Sequence, residues 1–301
     1  MVRTRRGSRR GGEPTGDRVG IVTDSTSCLP APLLAEHGIT VVPLRVTLGT
    51  RTAVDGVDVT PADVTRALRD KRAVRTSRPS PAEFAAAYRA VLDTGVERIV
   101  SVHLSAALSG TWESATLAAQ DFGHGVVRVV DSRSTAMGLG FAVLSAAARA
   151  EAGGTAAEVQ GAATEAVDAT RTMFYVDTLE HLRRGGRVGT AAAFFATSLS
   201  VKPLLQMVEG QIVPLEKVRT SSRAVARLAE LVVAAAGDGP VDLAVHHLAA
   251  ADRANALADR LRAEIGGVVE CHVSELGAVI GAHLGPGVLG TVVRRRGSTT
   301  G

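Results

Sequence analysis

Short apolar runs alternate along this chain with segments that carry helix-start signals, and no other feature constrains the fold as much. Residues 19–23, 39–48, 99–104 and 126–130 read as buried strands, the second interrupted at Pro43. Between them, Thr60-Pro61-Ala62-Asp63 offers a threonine cap, a proline at the first helical position and a first-turn carboxylate, and Ser80-Pro81-Ala82-Glu83 is a capping box. Strands separated by helices form a parallel sheet, and ligands on such a sheet bind beyond the carboxyl ends of its strands. The turns at Asp24-Ser25, at 105–111 and at Asp131-Ser132 are therefore expected on one edge, joined by Thr76 and Ser77, which read as a loop feeding the next helix.

A long alanine-rich helix over 135–152 ends at Gly153-Gly154, where a domain boundary is expected. Thr155 and Glu158 form a further capping box, 172–176 reads as a strand, and 201–208 with 211–218 as a hairpin around Glu209-Gly210. A helix over 222–236, then strand, helix and strand over 241–246, 252–264 and 268–273, lead to a glycine-rich stretch, 277–290, read as a loop holding His283. Residues 288–293 form the closing strand. The expected layout is α/β throughout: a basic tail (1–18), an N-terminal domain (19–153) with a mainly parallel sheet and flanking helices, a C-terminal domain (154–296) with a mixed sheet, and a short tail (297–301).

Composition excludes several classes of function. Aromatic residues make up 3% of the chain, too few for base-stacking platforms. The net charge of +4 is carried entirely by residues 1–18, with six arginines against Glu13 and Asp17, so the folded part is no nucleic-acid surface. No apolar run approaches the roughly 18–20 residues of a membrane span, and the arginine-rich start lacks the apolar core of a signal peptide, which points to the cytoplasm. Cys28 and Cys271 have no neighbouring thiol and are expected to be reduced. Lys71, Lys202 and Lys217 are the only lysines and none follows a glycine, so there is no phosphate-binding P-loop. No G-x-S-x-G elbow or HExxH occurs, Gly138-Leu139-Gly140 lacks the third glycine of a dinucleotide loop, and His246 and His247 point to opposite faces of a strand. Neither a metal nor a cofactor is expected.

What remains is a set of hydroxyls, a few arginines and abundant branched apolar residues. In the turn over 105–111, Ser109 stands like a helix cap, and capping alone is the ordinary role of such a turn. The same hydroxyls, backbone N–H groups and helix dipole also suit a carboxylate or phosphate. An apolar cavity behind such a turn favours a lipid: burying roughly 14 methylenes at about 0.8 kcal/mol each gives on the order of 11 kcal/mol before ordering costs.

Seven signatures in order resemble the DegV family of bacterial fatty-acid-binding proteins: Val22-Thr23-Asp24-Ser25-Thr26, Thr76-Ser77-Arg78-Pro79-Ser80, Leu108-Ser109-Gly110-Thr111, residues 179–189, Val201-Lys202-Pro203-Leu204, Lys217-Val218-Arg219-Thr220 and residues 281–287. The resemblance implies two α/β domains with an acyl chain buried between or within them. It also implies that some members carry the acyl group for a separate ATP-dependent fatty acid kinase. Carried over by position, Thr76, Ser77, Ser105, Ser109 and Gly110 would hold the carboxylate, with His283 beside it and Asp24, Ser25 and Asp131 in support. Arg187 and Arg219 would face the kinase or the incoming phosphate. The family usually has two adjacent serines before the Leu-Ser-Gly-Thr turn; here they are Ser105 and Ala106, so one hydroxyl is lost.

The leading expectation is a carrier with no catalytic residue, its ligand a long-chain fatty acid. The alternative from another class is an acyl-ester or phosphoester hydrolase that uses Ser105 or Ser109 with His283 as base and an aspartate to orient it. A third reading has the basic tail contacting RNA.

Overall fold

The computed structural model describes residues 17–189, 191 and 201–297; most of the arginine-rich tail and the last four residues lie outside them. Strands β1 (Val19–Asp24), β2 (Thr40–Val42), β6 (Arg98–His103) and β7 (Val127–Asp131) form the expected parallel sheet in the order β2-β1-β6-β7. Because the order reverses at β1, the switch point lies between β1 and β6, and the loops that follow these strands share one edge. Helix α3 (Pro81–Asp93) starts at the Ser80–Glu83 capping box and covers one face together with α4 (Thr111–Ala119).

Helix α5 (Met137–Glu151) packs on the other face, against β1 and β6, and its far side meets β8 (Thr170–Tyr175) and β13 (Leu289–Arg295). One core thus runs from Val100 and Val102 through Phe141 and Ala142 to Ala244 and Val292. The Gly153-Gly154 pair joins α5 to α6 (Ala156–Asp168), which starts at the Thr155–Glu158 capping box, and α6 also lies on β6 and β7. The path passes to the second sheet at Ala169.

That sheet is mixed, in the order β10-β9-β8-β13-β11-β12, with β9 (Lys202–Val208), β10 (Gln211–Val218), β11 (Val241–His247) and β12 (Val268–Glu275). Helices α8 (Ser221–Ala236) and α9 (Ala251–Glu264) bury their apolar faces against its outer side. Lys202 of the Val-Lys-Pro-Leu signature ties β9 to the end of β8, its Nζ donating to the Asp177 carbonyl at 3.1 Å and carboxylate at 3.2 Å. Further α-helices among the described residues are α1 (Ala31–Glu36), α2 (Pro61–Arg69), α7 (Glu180–Arg184) and α10 (Ala278–Leu284).

Three local expectations are corrected. Thr76 and Ser77 are in a strand, β5 (Val74–Ser77), which pairs with β3 (Arg45–Leu48) beside β4 (Arg51–Val54) in a small antiparallel sheet. The pairing partner lies about thirty residues earlier, out of reach of the local serine and proline signals. His283 sits on a helix, α10, because the glycines of this stretch end or pack it: Gly285, at φ +76°, stops it, and a Cβ at Gly281 would lie 3.1 Å from Leu248. Its N-terminus has no local cap; Asp55, 223 residues away, accepts the Ala278 N–H at 3.0 Å. Ser109 does not cap α4: Gly110 occupies that position without a side-chain bond, and Ser109 Oγ accepts the Thr111 N–H at 3.3 Å instead.

Candidate functional site

A cavity lies where the carboxyl ends of β1 and β6 face the inner side of the mixed sheet. Leu104 and Leu108 enter it from the loop after β6, Phe174 and Met207 from β8 and β9, and Val279 and Ile280 from α10. Its volume is about 100 Å³, several times the roughly 10–15 Å³ that one water requires, and an apolar wall offers water few partners. A slender hydrocarbon gains what water would lose there.

One cluster of polar groups lies around Thr76 and His283. Thr76 and Ser77 come from β5, Ser109 from the loop before α4, His283 from α10 and Arg187 from the glycine-flanked turn after α7. Thr76 Oγ1 lies 2.7 Å from His283 Nε2, while Nδ1 is buried with no hydrogen-bond partner. Burial, and then the positive charge of Arg187, lower the His283 pKa to about 4. The imidazole is therefore neutral at pH 7 and carries one N–H. With that proton on Nε2 the ring donates to Thr76, and the threonine hydroxyl proton is free for an acceptor in the cavity. Beneath the ring only glycine fits, since a Cβ at Gly185 would lie 2.2 Å from Nδ1. Arg187 fastens the loop opposite, its Nε donating to the Leu108 carbonyl at 3.0 Å.

The other residues singled out in the sequence stand behind this wall. Asp24 is fully buried and accepts from Thr26 N–H at 3.0 Å, Leu104 N–H at 3.0 Å and His103 Nδ1 at 3.0 Å, so it shapes the loop after β6. Ser25 donates to Asp55 at 2.8 Å and accepts from Leu44 N–H at 3.1 Å, which supports the cap of α10. Asp131 accepts from the N–H groups of Ala106 and Arg133 at 3.2 and 2.8 Å. Ser105 is buried and donates to the Gly210 carbonyl at 2.7 Å, locking the turn to the β9–β10 hairpin. Gly110 makes room for Arg78, whose Nη1 would lie 1.5 Å from a Cβ there. Arg219 is exposed after β10 and does not line the cavity.

Hydrolytic machinery is not assembled among the described residues. Ser105 is held by Gly210, Ser109 Oγ lies 2.9 Å from Thr111 Oγ1, and His283 has Thr76 rather than a serine or an aspartate as its partner. A Ser101–His103–Asp24 chain does exist, at 2.6 and 3.0 Å, but all three side chains are fully buried in the sheet, away from the cavity. No group of three or more potential metal ligands occurs among the described residues, and no described helix is long and apolar enough to cross a membrane.

Some of the lining was not foreseen. Arg78, Thr135, Thr172, Met207 and His246 all reach the cavity. His246 accepts the Met137 N–H at 3.2 Å on Nε2 and stands 3.0 Å from Ser274 Oγ on Nδ1; burial lowers its pKa to about 4. Only Arg78 had a signal, as a neighbour of Thr76 and Ser77. On the outer side of the Thr76–His283 pair, a surface groove carries Lys71, Arg72, Arg75, Arg184 and Arg187, with no carboxylate among its described lining residues.

Comparison with known proteins agrees with this fold. Residues 18–296 match a family model described as "Uncharacterised protein, DegV family". A DegV domain-containing protein of Streptomyces coelicolor is 55% identical over 92% of this chain and 99% of its own. A DegV family protein of Thermus thermophilus, solved as a fatty acid binder, superposes with a TM-score of 0.88 at 37% identity, covering 93% of this chain and 100% of that one. The fatty acid binding protein DegV of Bacillus subtilis gives 0.85 at 32% identity, over 94% and 100%. The chain belongs to the DegV family.

Proposed function

We propose that this chain binds a long-chain fatty acid, the acyl chain in the apolar cavity and the carboxylate at Thr76, Ser77, Ser109 and His283, and presents that carboxylate to a separate ATP-dependent kinase. The observation that carries the reading is an apolar cavity ending in a threonine hydroxyl hydrogen-bonded to a neutral, buried histidine. Such an end supplies donors without a second buried charge, and an unpaired carboxylate would otherwise cancel much of the gain from the chain. Fatty acid binding by the Thermus and Bacillus relatives supports it.

The kinase step rests on charge and on what the chain lacks. A carboxylate oxygen attacks the terminal phosphorus of ATP, and ADP leaves with the former bridging oxygen. The basic groove outside Thr76 and His283 suits an incoming polyphosphate, and Arg187 lines both that groove and the cavity. With no P-loop in the sequence, the nucleotide comes with the partner. Residues 1–18 and the closing tail take no part in this reading.

Solvent extraction of the purified protein, followed by mass spectrometry, tests it: a co-purified fatty acid is expected in stoichiometric amount. Acyl phosphate, trapped with hydroxylamine, is expected only when the chain, a fatty acid kinase and ATP are all present. Lipid-free preparations that bind no added fatty acid, together with esterase activity lost in Ser109→Ala, would overturn the reading in favour of a hydrolase.

A further inference from the structure

The ladder between β8 and β9 stops early. Its rungs pair Met173 with Gln206, Phe174 with Leu205 and Tyr175 with Leu204, although β8 begins at Thr170 and β9 continues to Val208. The same register would next pair Thr172 with Met207 and Arg171 with Val208, and there the ladder has no rung. Thr172 and Met207 are also the two residues that line both the apolar cavity and a polar surface groove whose walls include Arg133, Asp168 and Arg171. That groove shares no residue with the basic groove at the Thr76–His283 end. Among the described residues, the cavity thus borders surface grooves in two places.

A continued ladder would seal this wall with backbone hydrogen bonds; without rungs the wall is left to side chains. Met207 is half-buried, and its unbranched thioether changes rotamer with little resistance. Thr172 stays paired with Val292 of β13, but among the described residues its hydroxyl has one long contact, 3.3 Å from Ser134 Oγ. The rim around them is braced, because Arg133 bridges Asp168 at the end of α6 and Glu209 in the turn after β9.

We propose that the gap between Thr172 and Met207 is a second mouth, at the tail end of the cavity, with Met207 as its plug. Resting on the fatty acid reading, it extends the ligand class to acyl chains longer than the closed cavity and to chains with an ω-hydroxyl, whose ends leave through this mouth into the polar groove. A hydroxyl sealed against an apolar wall loses its hydrogen bonds, which weakens binding on the order of tenfold or more. One that reaches the groove keeps them.

The test is a disulfide across the gap, Thr172→Cys with Met207→Cys in the full chain, measured oxidised and reduced. The ligands are tetradecanoic, hexadecanoic, docosanoic and 16-hydroxyhexadecanoic acids. Closing the bond is expected to lower the docosanoic-to-tetradecanoic affinity ratio at least tenfold, with recovery on reduction. The hydroxy acid is expected to bind within about threefold of hexadecanoic acid when the gap is open and at least tenfold more weakly when it is closed. Ratios equal in the two states overturn the second mouth. Should the bond not form, Met207→Trp fills the gap and must lower the same ratios relative to the unmodified chain; no drop overturns the proposal. If the unmodified chain binds none of the four acids, the fatty acid reading itself falls, and the second mouth with it.

Discussion

At the scale of single residues, the head of the cavity depends on one threonine and one histidine. Thr76→Val keeps the shape but removes the donor, and leaves His283 Nε2 without its partner at 2.7 Å. Fatty acid affinity is expected to fall by about 1–1.5 kcal/mol, near tenfold, in a displacement titration. Thr76→Ser should recover most of it. The histidines also set a pH dependence. His246 and His283 have pKa values lowered from 6.5 to about 4, both chiefly by burial and His283 also by Arg187. The unfolded chain binds these protons near 6.5 and the folded chain does not, so their contribution is complete above pH 6.5 and is lost as pH falls toward 4. The combined effect is on the order of several kcal/mol. Thermal midpoints of the lipid-free protein are expected to drop through this window, and His283→Gln should flatten the decline; a slope unchanged in that variant would remove His283 from the account.

At the scale of elements, α10 is the critical piece, because it brings Val279, Ile280 and His283 to the cavity and has no cap in its own sequence. Asp55 supplies the cap, and Ser25 holds Asp55 at 2.8 Å. Burial raises the Asp55 pKa, while the bonds from Ser25, Ala278 and Val279 pull it back down. Asp55→Ala is expected to cost about 1–2 kcal/mol in denaturant unfolding, as loss of a helix cap does, and to weaken fatty acid binding as well. Normal binding with reduced stability would show that α10 stays in place without this cap. The α7 signature has a comparable explanation: Gly185 is small because His283 lies on it, and Arg187 reaches across to Leu108.

At the scale of the whole molecule, the cavity is lined by the loop that follows β6 of the parallel sheet, by the mixed sheet, by the small antiparallel sheet and by α10, so a ligand there would touch elements from each. Helix α5, packed between the two larger sheets, gives them a common core. Saturating fatty acid at about 100 times its Kd should add roughly 2.7 kcal/mol and shift a single thermal transition upward by several degrees. A calorimetric trace with two transitions, only one of them moved by ligand, would mean that the ligand engages one layer alone.

Much of this was legible in the sequence wherever the causes are local. The parallel sheet follows from strands separated by helices, and the threonine cap at Thr60 and the capping boxes at Ser80 and Thr155 all form, because each needs only residues three apart. The glycines at 185 and 281, the hydroxyls at 76 and 109 and the family signatures were visible in the same way. Tertiary structure alone decided which of those hydroxyls face the cavity. Ser105 turns away to a carbonyl 105 residues distant, and the helix under His283 starts on a carboxylate 223 residues distant. It alone also ended the β8–β9 ladder beside Met207. A hydrogen bond between chain neighbours is specified by spacing, whereas one between distant residues exists only once the layers have packed.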